Sequence, residues 1–136
     1  MLRAHNDYRA NILTGNEKRG PKAIELPPLH WNKSLQVSSE KYISSCVYAH
    51  SGYEGLGENL YFTTSLETDP VQSVIAWYEE IADYFYFIDH CTDVCGHYTQ
   101  IVAEKTRSVG CAQKVCDFSR FKALYILTKM VLITVK

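Results

Sequence analysis

Gly96-His97-Tyr98-Thr99-Gln100-Ile101-Val102-Ala103-Glu104-Lys105-Thr106-Arg107-Ser108-Val109-Gly110-Cys111 is the stretch on which the fold turns. Tyr98, Gln100 and Val102 alternate with Thr99, Ile101 and Ala103, which predicts a strand opened by His97, and a second run closes on Val109-Gly110-Cys111. An imidazole just before a strand is carried on rigid backbone and can be aimed into a cleft. Upstream the apolar spacing becomes helical. Leu2 to Leu13 reads as a first helix, with Tyr8 and Ile12 four apart. After a Gly/Pro-rich loop from Gly15 to Pro28, the spacing of Trp31, Leu35, Ser38, Tyr42 and Cys46 predicts a second helix over 34–47. Asp69-Pro70 starts a third, over 70–85, with an acceptor side chain at the cap and proline in the first turn.

Downstream of Cys116, Leu124 to Leu127 and Val131 to Val135 are short apolar runs split by Thr128-Lys129. A bilayer-spanning helix needs roughly 20 continuous apolar residues, so no transmembrane segment is expected. Helices followed by strands in a chain of 136 residues imply one α+β domain.

Acidic and basic residues number 15 and 14, and no basic run exceeds two, so the basic stripe of a nucleic-acid binder is absent. The ten tyrosines suit a cleft or a partner surface, and equally an ordinary core. Five cysteines include no Cys-x-x-Cys pair, which favours disulfides in an oxidising compartment over a zinc finger. The triplet Asn32-Lys33-Ser34 agrees with a secreted chain. No hydrophobic targeting segment precedes the first helix, yet the cysteines place the expected location outside the cell.

His50 follows the second helix, Glu58 sits in a Gly-Glu-Asn turn, Glu80 lies on the third helix and His97 heads the expected strand. Two imidazoles and two carboxylates meeting in a cleft can hold a divalent cation or share protons. Spacing alone does not show that they meet, and helical geometry does not choose Glu80 over Glu79. His5, His30 and His90 read as surface or core residues. Glu58 has a structural alternative, bonding backbone amides without touching a metal. No Gly-x-Ser-x-Gly elbow and no His-Glu-x-x-His occurs. A Ser51/His50/Glu58 hydrolase would rest on chain neighbours, which seldom have the geometry a base needs.

Gly96-His97-Tyr98-Thr99-Gln100, Tyr48-Ala49-His50-Ser51 and Gly57-Glu58-Asn59-Leu60-Tyr61 closely resemble the CAP superfamily of cysteine-rich secretory, antigen 5 and pathogenesis-related 1 proteins. The resemblance runs from about His5 to Cys116. It implies a three-layer α-β-α sandwich with a central, largely antiparallel sheet, and a cleft tetrad of His50, Glu58, Glu80 and His97 with Zn2+ or another divalent cation as its cofactor. It also implies the pairings Cys46 with Cys116 and Cys91 with Cys95, and a lone Cys111. Two departures stand out: Ala103 replaces a family tryptophan, and the family's Val-Cys-Asn-Tyr segment is missing. Residues 1–120 are therefore expected to form the CAP domain and residues 121–136 a divergent, strand-like tail.

Tyr84-Phe85-Tyr86-Phe87-Ile88 cannot all be buried on one helical face, so some should line a groove or lie exposed. Several CAP proteins bind sterols or fatty acids near this part of the fold, which makes Tyr84, Phe85, Tyr86 and Phe87 the expected lipid-binding residues; the alternative is that they cover the sheet. The expected function is that of a secreted, non-enzymatic protein binding small lipids or an extracellular protein partner. The alternative is a metal-assisted peptidase or esterase using the same cleft.

Overall fold

In the computed structural model, residues 1–132 are described. The elements, in chain order, are α1 (Leu2–Thr14), β1 (His30–Trp31), α2 (Lys33–Ile43), β2 (Leu56–Thr63), α3 (Val71–Glu79), β3 (Tyr84–Phe85), β4 (His90–Cys91), α4 (Gly96–Ile101), β5 (Thr106–Phe118) and β6 (Phe121–Leu132). Four strands form a sheet ordered β1-β5-β6-β2, antiparallel except where β1 joins β5. Alternation along the long strands sorts their side chains to two faces. Val109, Cys111, Leu124, Ile126 and Met130 pack with Ile12, Val74, Trp77, Tyr78 and Ile101 of α1, α3 and α4. Leu60, Ala112, Cys116, Tyr125 and Leu127 meet Ile43 of α2. Helices thus cover both faces of a mostly antiparallel sheet, the α-β-α sandwich. Gly110 is required where α2 crosses β5, because a Cβ there would strike the backbone of Gln36.

The run Leu124 to Leu127 lies inside this sheet, hydrogen-bonded to β2 on one side and β5 on the other. Of the second apolar run, Val131 belongs to β6 and residues 133–136 lie outside the described residues.

Three local expectations are corrected. His97 does not open a strand; it lies in the first turn of α4. The run is β-prone, but Glu80 accepts the backbone N–H groups of His97 and Tyr98, and Tyr98 and Ile101 bury one helical face. Tertiary contacts therefore override a weak local preference. The second helix ends at Ile43 rather than Val47, because Cys46 takes a left-handed φ of 55° and is tied to Cys116. The third ends at Glu79, and 3-10 turns over Glu80–Asp83 and Tyr86–Ile88 flank β3. This tighter winding carries the aromatic run away from the helical face. β3 and β4 then pair as a small hairpin.

Two disulfides, Cys46–Cys116 and Cys91–Cys95, are formed. Cys111 is free and buried, and desolvation pushes its thiol up to about 12. Its partner across β5 and β6 is Thr128, whose buried hydroxyl has no hydrogen-bond partner among the described residues. Arg9 is also buried, its guanidinium donating to the carbonyls of Pro27, Ile101 and Ala103. It gathers the end of α4 onto α1, and so fixes the helix that carries His97.

Candidate functional site

The four predicted residues form two imidazole–carboxylate pairs. His97 and Glu80 are the tighter. His97 Nδ1 lies 2.6 Å from Glu80 Oε1, while Glu80 Oε2 accepts from His97 N at 3.0 Å and Tyr98 N at 3.3 Å. One carboxylate thus orients the ring and satisfies the first N–H groups of α4, which have no partner within the helix. Trp77 stacks on the ring at 6.1 Å and 22°. Trp77 is held in turn by Nε1 donating to Leu60 O. With Nδ1 engaged by Glu80, Nε2 is the ring nitrogen left for another partner, the arrangement a carboxylate imposes on an oriented histidine.

His50 and Glu58 form the looser pair, with 3.8 Å between His50 Nδ1 and Glu58 Oε2. The His50 side chain is 63% exposed and that of Glu58 is 5% exposed. Glu58 accepts both the backbone N–H and the hydroxyl of Ser51. Ser51 is therefore bound to the carboxylate, an arrangement unlike a nucleophile relayed through histidine. The hydroxyl of Tyr42 donates to Ala49 O and His50 O, and that of Tyr125 to Val47 O. These bonds hold the His50 loop against α2 and β6.

β2 links the pairs. Glu58 serves the His50 side, and the amide of neighbouring Asn59 donates to His97 O at 3.1 Å. Gly57 lies close beside them, where the Gln100 side-chain amide occupies the space a Cβ would take. Among the described residues, no group of three or more His, Cys, Asp or Glu side chains is placed to hold a metal ion. Both carboxylates are engaged by protein donors, Glu80 by the first N–H groups of α4 and Glu58 by Ser51, so neither is free to close a four-ligand cage.

Sequence reasoning missed Lys129. Its Nζ donates to Ser38 Oγ at 3.1 Å and lies over the rings of Tyr53 (4.5 Å) and Tyr42 (5.3 Å). The residue is fully buried and stands across from Glu58 in the β2–β6 register. Burial lowers its pKa, and the Glu58 charge opposes that shift. A lysine at an inward position of an apolar strand was the available signal.

Of the aromatic run, Tyr84 is half-buried and its hydroxyl donates to Asp89, while Phe85, Tyr86, Phe87 and Ile88 are exposed. Tyr84 and Tyr86 border a pocket of about 490 Å3 that reaches Ile12, Leu26, Ile81 and Ala103. Lys22 and Glu104 stand at the same opening. Among the described residues no helix is long and apolar enough to cross a membrane.

The model of the cysteine-rich secretory protein family (CAP) matches residues 2–131. GLIPR1-like protein 1 of Mus musculus is 31% identical over 127 residues, covering 85% of this chain and 50% of that protein. The chain thus spans about half the length of this relative. The solved structure of Schistosoma mansoni venom allergen-like protein 4 superposes with a TM-score of 0.80 at 22% identity, covering 98% of this chain and 86% of the other. A structure of NaASP2 with Zn2+ gives a TM-score of 0.77 at 24% identity, with coverage of 95% and 75%.

Proposed function

The chain belongs to the cysteine-rich secretory protein (CAP) family, and from that premise we propose that it is a secreted, non-enzymatic protein that binds a small lipid, a sterol or a fatty acid. The pocket of about 490 Å3 carries this reading, since it has the size of a small-molecule site and combines an apolar floor from Ile12, Leu26, Ile81 and Val102 with charged side chains of Arg19, Lys22, Glu25 and Glu104. Tyr84 and Tyr86 form its wall, and Phe85 and Phe87 extend an apolar surface from it. The two disulfides support an extracellular location.

In the same reading His50 and His97 hold a divalent cation in a labile site, with Glu58 and Glu80 as outer carboxylates. The bound ion would supply Lewis acidity and positive charge at the cleft. Relatedness to NaASP2, whose structure was determined with Zn2+, supports a divalent ion. Only a neutral imidazole can ligate, so occupancy should fall in acid.

Titration with a fluorescent sterol and a fluorescent fatty acid tests the lipid reading. Ala103→Trp, which fills the pocket, should weaken binding at least tenfold while the protein stays folded. Unchanged affinity would move the lipid elsewhere. A peptide and ester hydrolysis screen runs beside it; turnover abolished by His97→Ala would replace a binding protein with a hydrolase.

A further inference from the structure

Where α2 stops at Ile43, the sheet face that it covers continues as a cluster of aromatic rings. Phe62 of β2, Phe118 of β5 and Phe121 of β6 lie along the side of the sheet that buries Cys116 and Tyr125. Phe118 and Phe121 are partners on either side of the two-residue turn Ser119-Arg120, with ring centroids 5.0 Å apart, and Phe62 meets both at 6.2 Å. Tyr48 closes the cluster, 5.5 Å from Phe62. Its rim is open to solvent, with Tyr48 55% and Phe121 48% exposed. Grouped rings left half in solvent at a hairpin tip mark an interaction surface.

The charge around these rings says what they meet. Residues 114–122 hold Lys114, Arg120 and Lys122 against Asp117, in a chain whose net charge is -1. Asp117 is paired to Lys122 at 3.3 Å, and Lys114 donates to the neutral carbonyl of Ser44. Arg120 is exposed. The other exposed aromatic surface, Phe85 to Ile88, has opposite surroundings: residues 83–93 hold Asp83, Asp89 and Asp93 and no lysine or arginine. We propose that the β5–β6 tip docks on an anionic phospholipid bilayer, with Tyr48 and Phe121 in the headgroup layer and Lys114 and Arg120 against its acidic groups. Aromatic rings settle at the membrane–water interface, and basic side chains beside them are drawn to an anionic leaflet. The pocket proposed for a lipid lies against Ile12 of α1 and Tyr98 of α4, on the other face of the sheet, so the docking contact is separate from it.

Cosedimentation with phosphatidylcholine vesicles, with and without phosphatidylserine, tests the proposal on the full chain. Binding should be at least tenfold tighter with phosphatidylserine and should weaken as salt is raised. Arg120→Gln, in the turn, and Phe121→Ser, half in solvent, should each weaken it severalfold with unchanged circular dichroism. In Phe121→Trp, emission should shift to the blue on phosphatidylserine vesicles. Equal binding to both vesicle types, or binding that neither Arg120→Gln nor Phe121→Ser weakens, overturns the proposal. Loss on Phe87→Ser instead would move the contact to the β3–β4 hairpin and overturn it as well. So would a dimer that Phe121→Ser dissociates in a protein that binds no vesicle, which would give the patch to a second copy of the chain.

Discussion

His97 and Glu80 are joined at 2.6 Å within a helix cap, whereas His50 stands 3.8 Å from Glu58 with its ring largely in solvent. The residue types are the same and the backbone beneath them differs. Glu80 cannot leave without stripping α4 of acceptors for two N–H groups, so the His97 geometry is fixed by bonds local to the site. His50 hangs from a segment without regular structure, tied down by tyrosine hydroxyls and by a disulfide near its start. One half of the cleft is preorganised, and the other is held by long-range ties.

Cutting the longest tie should have the largest effect. Cys46→Ala with Cys116→Ala opens a loop of sequence separation 70, and chain entropy puts the cost at about 4 kcal/mol. Urea unfolding measures it, and hydrogen exchange should rise around His50 before α4. Equal exchange in both halves would erase the contrast between them.

The sheet between the halves can be tightened instead. Thr128→Cys places a thiol across from buried Cys111 and removes an unpartnered hydroxyl. Directly opposed antiparallel residues lie within the Cα range of disulfides. The new bridge should add about 3 kcal/mol. Protection of α2 and α3 should rise with it, and the His50 ring should stay mobile. A variant whose two thiols remain free after oxidation would show that the strands do not approach closely enough.

Acid should act on the rigid half. His5 is buried beside Trp77, the residue that stacks on His97, and its Nε2 has no hydrogen-bond partner among the described residues. Desolvation lowers its pKa from 6.5 to about 4. Below pH 6.5 the unfolded chain therefore takes up a proton that the native state refuses. Stability should be unaffected by His5 at pH 7 and fall by about 3 kcal/mol between pH 6.5 and 4. His5→Phe should remove this part of the slope in a pH series of urea midpoints; an unchanged slope would assign the acid sensitivity to other groups.

The smallest effect compares the imidazoles themselves. His97→Ala loses a charge-assisted contact to Glu80 and the stack on Trp77, at about 2 kcal/mol. His50→Ala should cost under about 0.5 kcal/mol, as an exposed residue does. Similar losses in thermal unfolding would mean that the loop is as firmly built as the cap.

The candidate site was legible as residue types, less so as geometry. Glu80 could be preferred over Glu79 only by family resemblance, and the structure shows Glu80 on His97 and Glu79 bound to exposed Arg19. The pairing of His97 with Glu80, and the placement of Ser51 on Glu58, depend on elements separated in sequence. Lys129 was visible only as a break between apolar runs.

By itself the sequence determined the elements that long periodic patterns encode. These are α1, the cores of α2 and α3, and the apolar run of β6, in one cysteine-rich α+β domain; helices on both sides of the sheet were implied by the family resemblance. Each draws on many residues that agree, so no single contact can overturn them. Only tertiary structure decided that the run after His97 coils rather than extends. It also decided that α2 stops before Cys46 and that Lys129 faces Glu58. In these cases one distant partner, a carboxylate, a sulfur or a neighbouring strand, outweighs a local preference of a few tenths of a kcal/mol per residue, roughly the spread of ordinary propensities.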